Sequence, residues 1–134
     1  MPTDSVHYVV SYDDAIVAHE MVLNVSGGRS GILSEASLLS ALARPYCGYF
    51  DTLEEKAAVL MEAVVQNHGF VDGNKRSAVF LAFTMIQLSG FEILPISSNE
   101  DVDLQMEDLA VELAKGVIKS NAIIDWLKPR LKPI

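Results

Sequence analysis

One segment restricts the fold more than any other: residues 74–89, NKRSAVFLAFTMIQLS. Beyond its first turn it is apolar on nearly every side, which is the pattern of a helix surrounded by other helices at the centre of a small bundle. Its apolar run, residues 78–88, is much shorter than the roughly 20 residues that a membrane span needs. We therefore expect a buried central helix that ends at Gly90.

Five further helices are indicated by apolar residues at three- and four-residue spacing. Each opens at a residue that can cap a helix N-terminus: Ser11, Ser34, Thr52, Ser98 or Asn99, and Ser120. The first is expected at about residues 12–25, and the glycines of the following SGGRSG, residues 26–31, predict a mobile loop. Pro45, Gly69 and Gly116 mark where three of the others stop.

Very little strand is expected. Residues 91–96, FEILPI, form a short extended candidate, and the tail 128–134, with three cations and two prolines, is expected to fray. The chain contains no internal repeat, low-complexity tract or linker, and its 134 residues are the usual size of one domain. Residues 1–134 are therefore predicted to form a single all-α domain, a compact six-helix bundle around the central apolar helix.

Composition and charge restrict the cellular compartment of the protein and the class of its binding partners. Half of the residues are hydrophobic and 21% are charged, as in a folded globular protein. A formal net charge of −8 argues against direct binding to nucleic acid or to anionic membranes. Cys47 is the only cysteine, and the N-terminus lacks the basic and apolar pattern of a signal peptide. These features predict a cytoplasmic protein.

The connection between the third and fourth helices is unusually polar: residues 68–76, HGFVDGNKR. It faces the N-terminus of the fourth helix, where unpaired backbone N–H groups and the helix dipole attract anions. Lys75 and Arg76 oppose the dipole in that first turn, and a bound phosphate would resolve the conflict. Gly73 lets the backbone approach such an anion closely, and Asn74 offers it an amide donor.

The same stretch carries residues suited to phosphoryl transfer. Asp72 can hold Mg²⁺, which proteins bind through one or two carboxylates together with phosphates and waters. His68 can act as a general base on an attacking hydroxyl. A base, a metal-binding carboxylate and cations around a phosphate are what this reaction requires when catalysis is mainly positioning and charge stabilisation.

Other motifs fail on spacing. Gly69 and Gly73 are too close together for a P-loop, and Asn74 separates Gly73 from the lysine. A zinc site lacks partners, because His7 and His19 are remote in sequence and no H-x-x-x-H pair exists. We expect those two histidines to be surface or capping groups. A plain loop between helices is the simple alternative to a phosphate site.

The stretch resembles the active-site motif of the Fic/Doc family, and specifically of its Doc branch, H-x-F-x-D-[AG]-N-K-R. Its fixed positions are met by His68, Phe70, Asp72, Gly73, Asn74, Lys75 and Arg76. The resemblance covers roughly residues 10–128, including the SGGRSG loop and the helix after it. It implies that His68 is the base, that Asp72 binds Mg²⁺, that residues 73–76 bind the phosphates of ATP, and that Phe70 is anchored in the core.

Most Fic proteins carry H-x-F-x-x-G-N-G-R and transfer AMP from ATP to a protein hydroxyl. Lys75 stands in place of the second glycine, a replacement that in the Doc branch accompanies a reversed nucleotide pose and transfer of the γ-phosphate. The resemblance implies a toxin that phosphorylates a Ser or Thr hydroxyl, in the family example on elongation factor Tu, and stops translation. AMP transfer and a catalytically weak binding module are the alternatives.

The family also has an inhibitory helix with the pattern [ST]-x-x-x-E-[GN], supplied by the same chain or by an antitoxin. No glutamate of this chain is followed by glycine or asparagine. The resemblance therefore implies an antitoxin that supplies this helix in trans. Residues 44–54 are short for the flap that presents the target in Fic enzymes, so the resemblance leaves the target open.

Overall fold

The computed structural model describes residues 6–134 and contains six α-helices in that range, as expected. Their bounds are α1 Tyr12–Ser26, α2 Glu35–Ala43, α3 Leu53–Asn67, α4 Asn74–Leu88, α5 Val102–Lys115 and α6 Ser120–Leu127. A short 3-10 turn, Arg44–Tyr46, follows α2. Residues 1–5, part of the N-terminal segment in which no signal peptide is expected, lie outside the described residues.

The expected central helix is α4. It packs against α1, α3 and α5, and its inward side chains are fully buried: Ala78, Leu81, Ala82, Met85 and Ile86. α3 is the second core helix and is covered by α2 and α6. The all-α bundle around an apolar helix is thereby confirmed. None of the helices between residues 6 and 134 has the length and hydropathy that a membrane crossing requires.

Capping residues set the starts of α1, α2 and α3 where the sequence places them, whereas the N-cap of α6 is Lys119 and not Ser120, and no side chain caps that helix. Ser11 and Thr52 each form a complete capping box at the start of α1 and α3. α5 begins later than expected, because Asp101 caps it in place of Ser98 or Asn99. The Asp101 carboxylate accepts the N–H of Leu104 at 3.1 Å. The error is a shift of the boundary rather than a missing element.

The expectation that the C-terminal tail frays is wrong. Two three-residue strands, β1 Phe91–Ile93 and β2 Leu131–Pro133, pair antiparallel with Ile93 opposite Leu131. Arg130 is buried beside them and donates to the Glu100 carboxylate and, at 2.7 Å, to the Trp126 carbonyl. Its guanidinium also lies over the Trp126 ring, 4.4 Å from the centroid. One side chain thus ties the tail to α6 and to the segment before α5.

The tail contact predicts an acid-sensitive contribution to stability. The Arg130 hydrogen bond holds the pKa of the Glu100 carboxyl below its ordinary value. A carboxyl whose pKa is lowered by folding stabilises the fold above its unfolded pKa, and this contribution is lost as the pH falls through the folded-state value. We expect Glu100→Gln to melt below the wild type at pH 7, and the difference to shrink between about pH 5 and pH 3.

Thermal unfolding followed by circular dichroism at several pH values measures this difference. Glu112→Gln, an exposed carboxylate on α5, is the matched control and should follow the wild type throughout. A Glu100→Gln protein that melts with the wild type at pH 7 would contradict the proposed role of the Arg130 contact.

Candidate functional site

The loop 68–73 between α3 and α4 is built around the ring of Phe70, which is 1% exposed and anchored in the core as the resemblance implies. The side chain of Asn74 holds the backbone of Phe70 from both sides. The Phe70 N–H donates to Asn74 Oδ1 at 3.1 Å, and Asn74 Nδ2 donates to the Phe70 carbonyl at 3.0 Å. This amide therefore positions the loop, and only its second N–H is left for the predicted phosphate contact.

His68 ends α3 in a left-handed conformation. Its φ of 50° and ψ of 51° make it the one non-glycine residue with positive φ in the range 6–134. Such a conformation costs an L-residue roughly 1 kcal/mol, so the contacts of the neighbouring residues must maintain it; the Gly69 carbonyl, for example, accepts the N–H groups of Leu33 and Ser34. The helix stops one residue before the predicted Gly69, and the His68 side chain is exposed to solvent.

The SGGRSG loop is hydrogen bonded to the loop that carries the motif. Ile32 and Phe70 form an isolated antiparallel bridge, and the N–H of Val71 donates to the Gly31 carbonyl at 3.0 Å. The predicted mobile segment thus has defined backbone partners. Arg29 is exposed, as expected of a surface arginine, and it enters the site through its backbone.

Asp72 is held by backbone N–H groups on both sides of its carboxylate. Oδ2 accepts from the Arg29 N–H at 3.1 Å, and Oδ1 accepts from the Gly73 N–H at 2.9 Å. These bonds, first that from Arg29, keep the pKa of the Asp72 carboxyl below its ordinary value. The exposed carboxylate is therefore ionised at neutral pH, and each oxygen keeps a free lone pair.

The donor set around Asp72 fits Mg²⁺ that arrives with a nucleotide. Mg²⁺ in proteins usually keeps several waters and takes one or two carboxylates plus substrate phosphates. Within residues 6–134 no group of three or more His, Cys, Asp or Glu side chains is arranged to hold a metal by itself. Asp72 would therefore be one ligand of a coordination shell that the nucleotide and waters complete.

The N-terminus of α4 concentrates positive charge. Its N-cap is Gly73, with a φ of 78° that glycine adopts freely, and no side chain caps the helix. The first intrahelical bond runs from the Ser77 N–H to the Gly73 carbonyl at 3.0 Å, so the preceding N–H groups of the helix have no acceptor within it. α1, α2, α3 and α5 carry an acid in their first turn, whereas α4 carries Lys75 and Arg76. The arrangement is that of an anion site.

A cavity of about 310 Å³ opens at this end of α4. Residues 72–76 line one side, and Val22 with residues 26–28 line the other. The guanidinium of Arg76 joins the two sides, because Nη1 donates to the Ser26 hydroxyl. The cavity brings together every predicted site residue except His68, which is not among its lining residues.

His19 belongs to the site, although a surface or capping group is expected from the sequence. It is 6% exposed, and its ring stacks on Phe70 with the centroids 3.9 Å apart. His7 is buried as well, with Nδ1 2.9 Å from the Nζ of Lys56. The surface expectation is therefore wrong for both. For His19 a signal was available, since it shares the helical spacing of the buried residues of α1.

Fold and site together define a class of protein: a helical bundle in which a polar loop presents an exposed histidine, an ionised aspartate and the cationic N-terminus of a buried helix. The Fic/DOC family model matches residues 9–86, more than half of the chain and nearly all of α1 to α4. The chain belongs to the Fic/Doc family.

Among curated proteins, the chain is similar to "Toxin Doc" of Mycolicibacterium smegmatis (strain ATCC 700084 / mc(2)155). The two are 34% identical over 93 residues, which are 66% of this chain and 68% of that toxin. The family match ends within α4, so it is shorter than the roughly 10–128 over which the sequence resemblance was traced.

The hydrogen bond from the Arg29 N–H to Asp72 can be tested by a substitution at Gly28. A Cβ at Gly28 would lie 2.9 Å from Asp72 Oδ2, whereas a Cβ at Gly27 would meet nothing within 4 Å. Both glycines have positive φ, so either alanine strains the backbone, but only that at position 28 displaces the carboxylate. We expect the Asp72 pKa to rise toward its ordinary value in Gly28→Ala, because the hydrogen bond from the Arg29 N–H to the carboxylate is lost.

Carbon-13 NMR titration of the Asp72 carboxyl measures this pKa directly. Gly27→Ala is the matched control, and its Asp72 pKa should equal that of the wild type. An unchanged pKa in Gly28→Ala would show that the Arg29 N–H does not hold the carboxylate.

Proposed function

We propose that this protein is a Doc-type toxin, a Mg²⁺- and ATP-dependent kinase that transfers the γ-phosphate to a Ser or Thr hydroxyl of a translation factor, by resemblance elongation factor Tu. The observation that carries the proposal is the cavity of about 310 Å³ at the N-terminus of α4, where an ionised aspartate and two cations surround unpaired N–H groups. The similarity to a Doc toxin supports the cellular role.

The phosphates of ATP are bound by charge and by backbone geometry. The N–H groups of the first turn of α4 point toward the helix N-terminus, where the dipole favours an anion. Lys75 adds a compact charge, and Arg76 adds a planar fork that matches two phosphate oxygens. In the free protein Arg76 donates to the neutral hydroxyl of Ser26, and a phosphate is the stronger acceptor.

Asp72 contributes a fixed negative charge beside these cations. Its two backbone hydrogen bonds keep the carboxylate ionised and hold its direction while leaving lone pairs free. Mg²⁺ bound with the nucleotide would neutralise the charge that develops on the phosphates during transfer. The role of Asp72 is to hold one side of that ion.

His68 accepts the proton in the transfer step. Its exposed side chain is accessible to a hydroxyl on a second protein. As the imidazole takes the hydroxyl proton, the hydroxyl oxygen forms a bond to the γ-phosphorus and the bond from that phosphorus to the β-phosphate oxygen breaks. ADP leaves, and the target carries a phosphate ester.

Lys75 favours γ-phosphate transfer over AMP transfer. It lines the same cavity as Asp72 and Arg76. A lysine at this position fills space that a glycine would leave for the terminal phosphates, and its charge favours a different placement of the nucleotide. The resemblance to the Doc branch supports the reversed pose, and AMP transfer is the competing outcome.

We propose an antitoxin as the partner that inhibits the enzyme. A groove of about 330 Å³ between α1, α4 and α5 adjoins the site. Its apolar lining includes Met21, Val25, Phe80 and Phe83, Asp103 and Glu107 line it from α5, and it reaches Arg76. An amphipathic helix can bury its apolar face in such a groove. A glutamate on that helix, as in the family's inhibitory pattern, would then compete with phosphate for Arg76.

Labelled ATP tests the reaction. Incubation of the protein and a cell extract with ATP labelled at the γ position should place label in a protein, and ATP labelled at the α position should not. We expect His68→Ala to lower transfer by at least about 100-fold, because general-base catalysis contributes that much. His7→Gln, which alters a histidine outside the site, should retain wild-type transfer.

The label that enters protein decides between the alternatives. Transfer of the α label alone would replace the kinase by a nucleotidyl transferase, and transfer of neither label would favour a binding module. A fully active His68→Ala protein would remove the assignment of His68 as the base.

Expression in bacterial cells tests the toxin role. Induction of the wild-type chain without an antitoxin should stop growth and the incorporation of labelled amino acids into protein. His68→Ala expressed at the same level is the control and should allow growth. Normal growth with the folded, abundant wild-type protein would contradict the toxin proposal while leaving the transfer reaction open to the labelling test.

A further inference from the structure

We propose that His19 is a positioning residue for the catalytic loop: from α1 it holds the Asp72–Gly73 peptide and thereby orients the Asp72 carboxylate. The consequence for catalysis rests on the proposed function, whereas the positioning itself rests on the contacts of His19 alone. The family motif spans residues 68–76 and does not include this histidine.

His19 contacts three residues of the loop at once. Its Nε2 lies 2.7 Å from the Asp72 carbonyl oxygen, and its ring is stacked on Phe70 at an angle of 5° between the planes. A Cβ at Gly73 would lie 3.5 Å from His19 Cδ2, so the ring also lies against the N-cap of α4. One side chain therefore supports the loop along its length.

The hydrogen bond has a defined direction. A carbonyl oxygen only accepts, so Nε2 must carry the proton and donate it to Asp72. The bond is important because the ring is buried: a polar ring that is almost fully removed from water requires a hydrogen-bond partner. A phenyl ring at position 19 could stack on Phe70 equally well, but it would leave the Asp72 carbonyl without this donor.

The bond reaches the carboxylate through the peptide plane. The carbonyl of Asp72 and the N–H of Gly73 belong to one planar unit. His19 fixes the carbonyl end, and the N–H end donates to Oδ1 of the same aspartate at 2.9 Å. Rotation of this peptide would turn the Gly73 N–H away from the carboxylate. By holding the carbonyl, His19 maintains the orientation in which Asp72 faces the cavity with Arg29 and Gly73 as its donors.

A pair of variants separates the hydrogen bond from the stacking. His19→Phe keeps an aromatic ring against Phe70 and removes the donor, whereas His19→Gln removes the ring and can place an amide N–H near the position of Nε2. His7→Gln is the matched control, a buried histidine outside the site. If His19 acts only by packing its ring in the core, His19→Phe should perturb the loop less than His19→Gln. If His19 acts through its Nε2–H donor, His19→Gln should perturb the loop less than His19→Phe.

Two measurements follow the variants. Amide hydrogen exchange reports on the N–H groups of Gly73 and Arg29, and the Mg²⁺ concentration for half-maximal phosphate transfer reports on the carboxylate. We expect His19→Phe to exchange both amides faster and to need roughly tenfold more Mg²⁺, the usual effect of removing a residue that orients a metal ligand. His19→Gln should recover both toward the wild type, and His7→Gln should match the wild type.

Wild-type exchange rates in His19→Phe, or a His19→Gln protein no better than His19→Phe, would overturn the proposal. Exchange is measured without substrate, so it decides the positioning role even if the protein transfers no phosphate and the proposed function fails. A measurement on the wild-type protein tests the hydrogen bond even if the variants do not fold. Long-range proton–nitrogen NMR should find the His19 proton on Nε2, and a neutral ring protonated only on Nδ1 would refute the bond.

Discussion

The two hydrogen bonds between the Asn74 side chain and the Phe70 backbone are the constraint on which the site depends. They join the first residue of α4 to the middle of the loop that enters it, so the loop and the helix cannot move separately. Burial of the Phe70 ring, which contributes about 1.5–3 kcal/mol, fixes this unit to the core. The direction of the loop, and with it the placement of Asp72, follows from that anchor.

Burial also explains why α4 can begin with two cations. Charges that oppose the dipole in a first turn destabilise a helix by roughly 0.3–1 kcal/mol each. Leu81, Met85 and Ile86 are fully buried further along the same helix, and each contributes about 1.5–3 kcal/mol. The core therefore outweighs the unfavourable charges, and the N-terminus of the central helix is free to serve as an anion site. A peripheral helix with less burial would tolerate them less well.

The sequence was sufficient for features that depend on local spacing. The helices follow from periodicity and from caps such as Ser11 and Thr52, and the residues of the motif loop follow from their order in the chain. Apart from the shifted start of α5, the errors lie where distant segments meet. Arg130 holds the tail in place through Glu100, which is 30 residues away in sequence, and no local pattern predicts that contact.

The same limit applies to the site. Its residue types could be predicted from one stretch, but the contacts that orient them come from α1 and from the loop after it. Asp72 is held by the backbone of Arg29, which any residue could provide, and by a histidine from a helix more than 50 positions earlier in sequence. A backbone donor cannot be predicted from the identity of the residue that provides it. A histidine on the buried face of α1, in contrast, indicates a contact, since a polar ring there requires a hydrogen-bond partner.

These contacts order two charged side chains of the site in the free protein. The Asp72 carboxylate accepts two N–H groups and Arg76 donates to Ser26, so both side chains have defined partners in the absence of a ligand. Under the proposed function, binding of a phosphate would exchange one partner of Arg76 for another, and little conformational entropy would be lost, since the side chain is already held. The gain in binding free energy would come from replacing the neutral hydroxyl at Arg76 by a charged phosphate, an interaction roughly twice as strong. Selectivity for phosphate over neutral ligands would follow from this exchange.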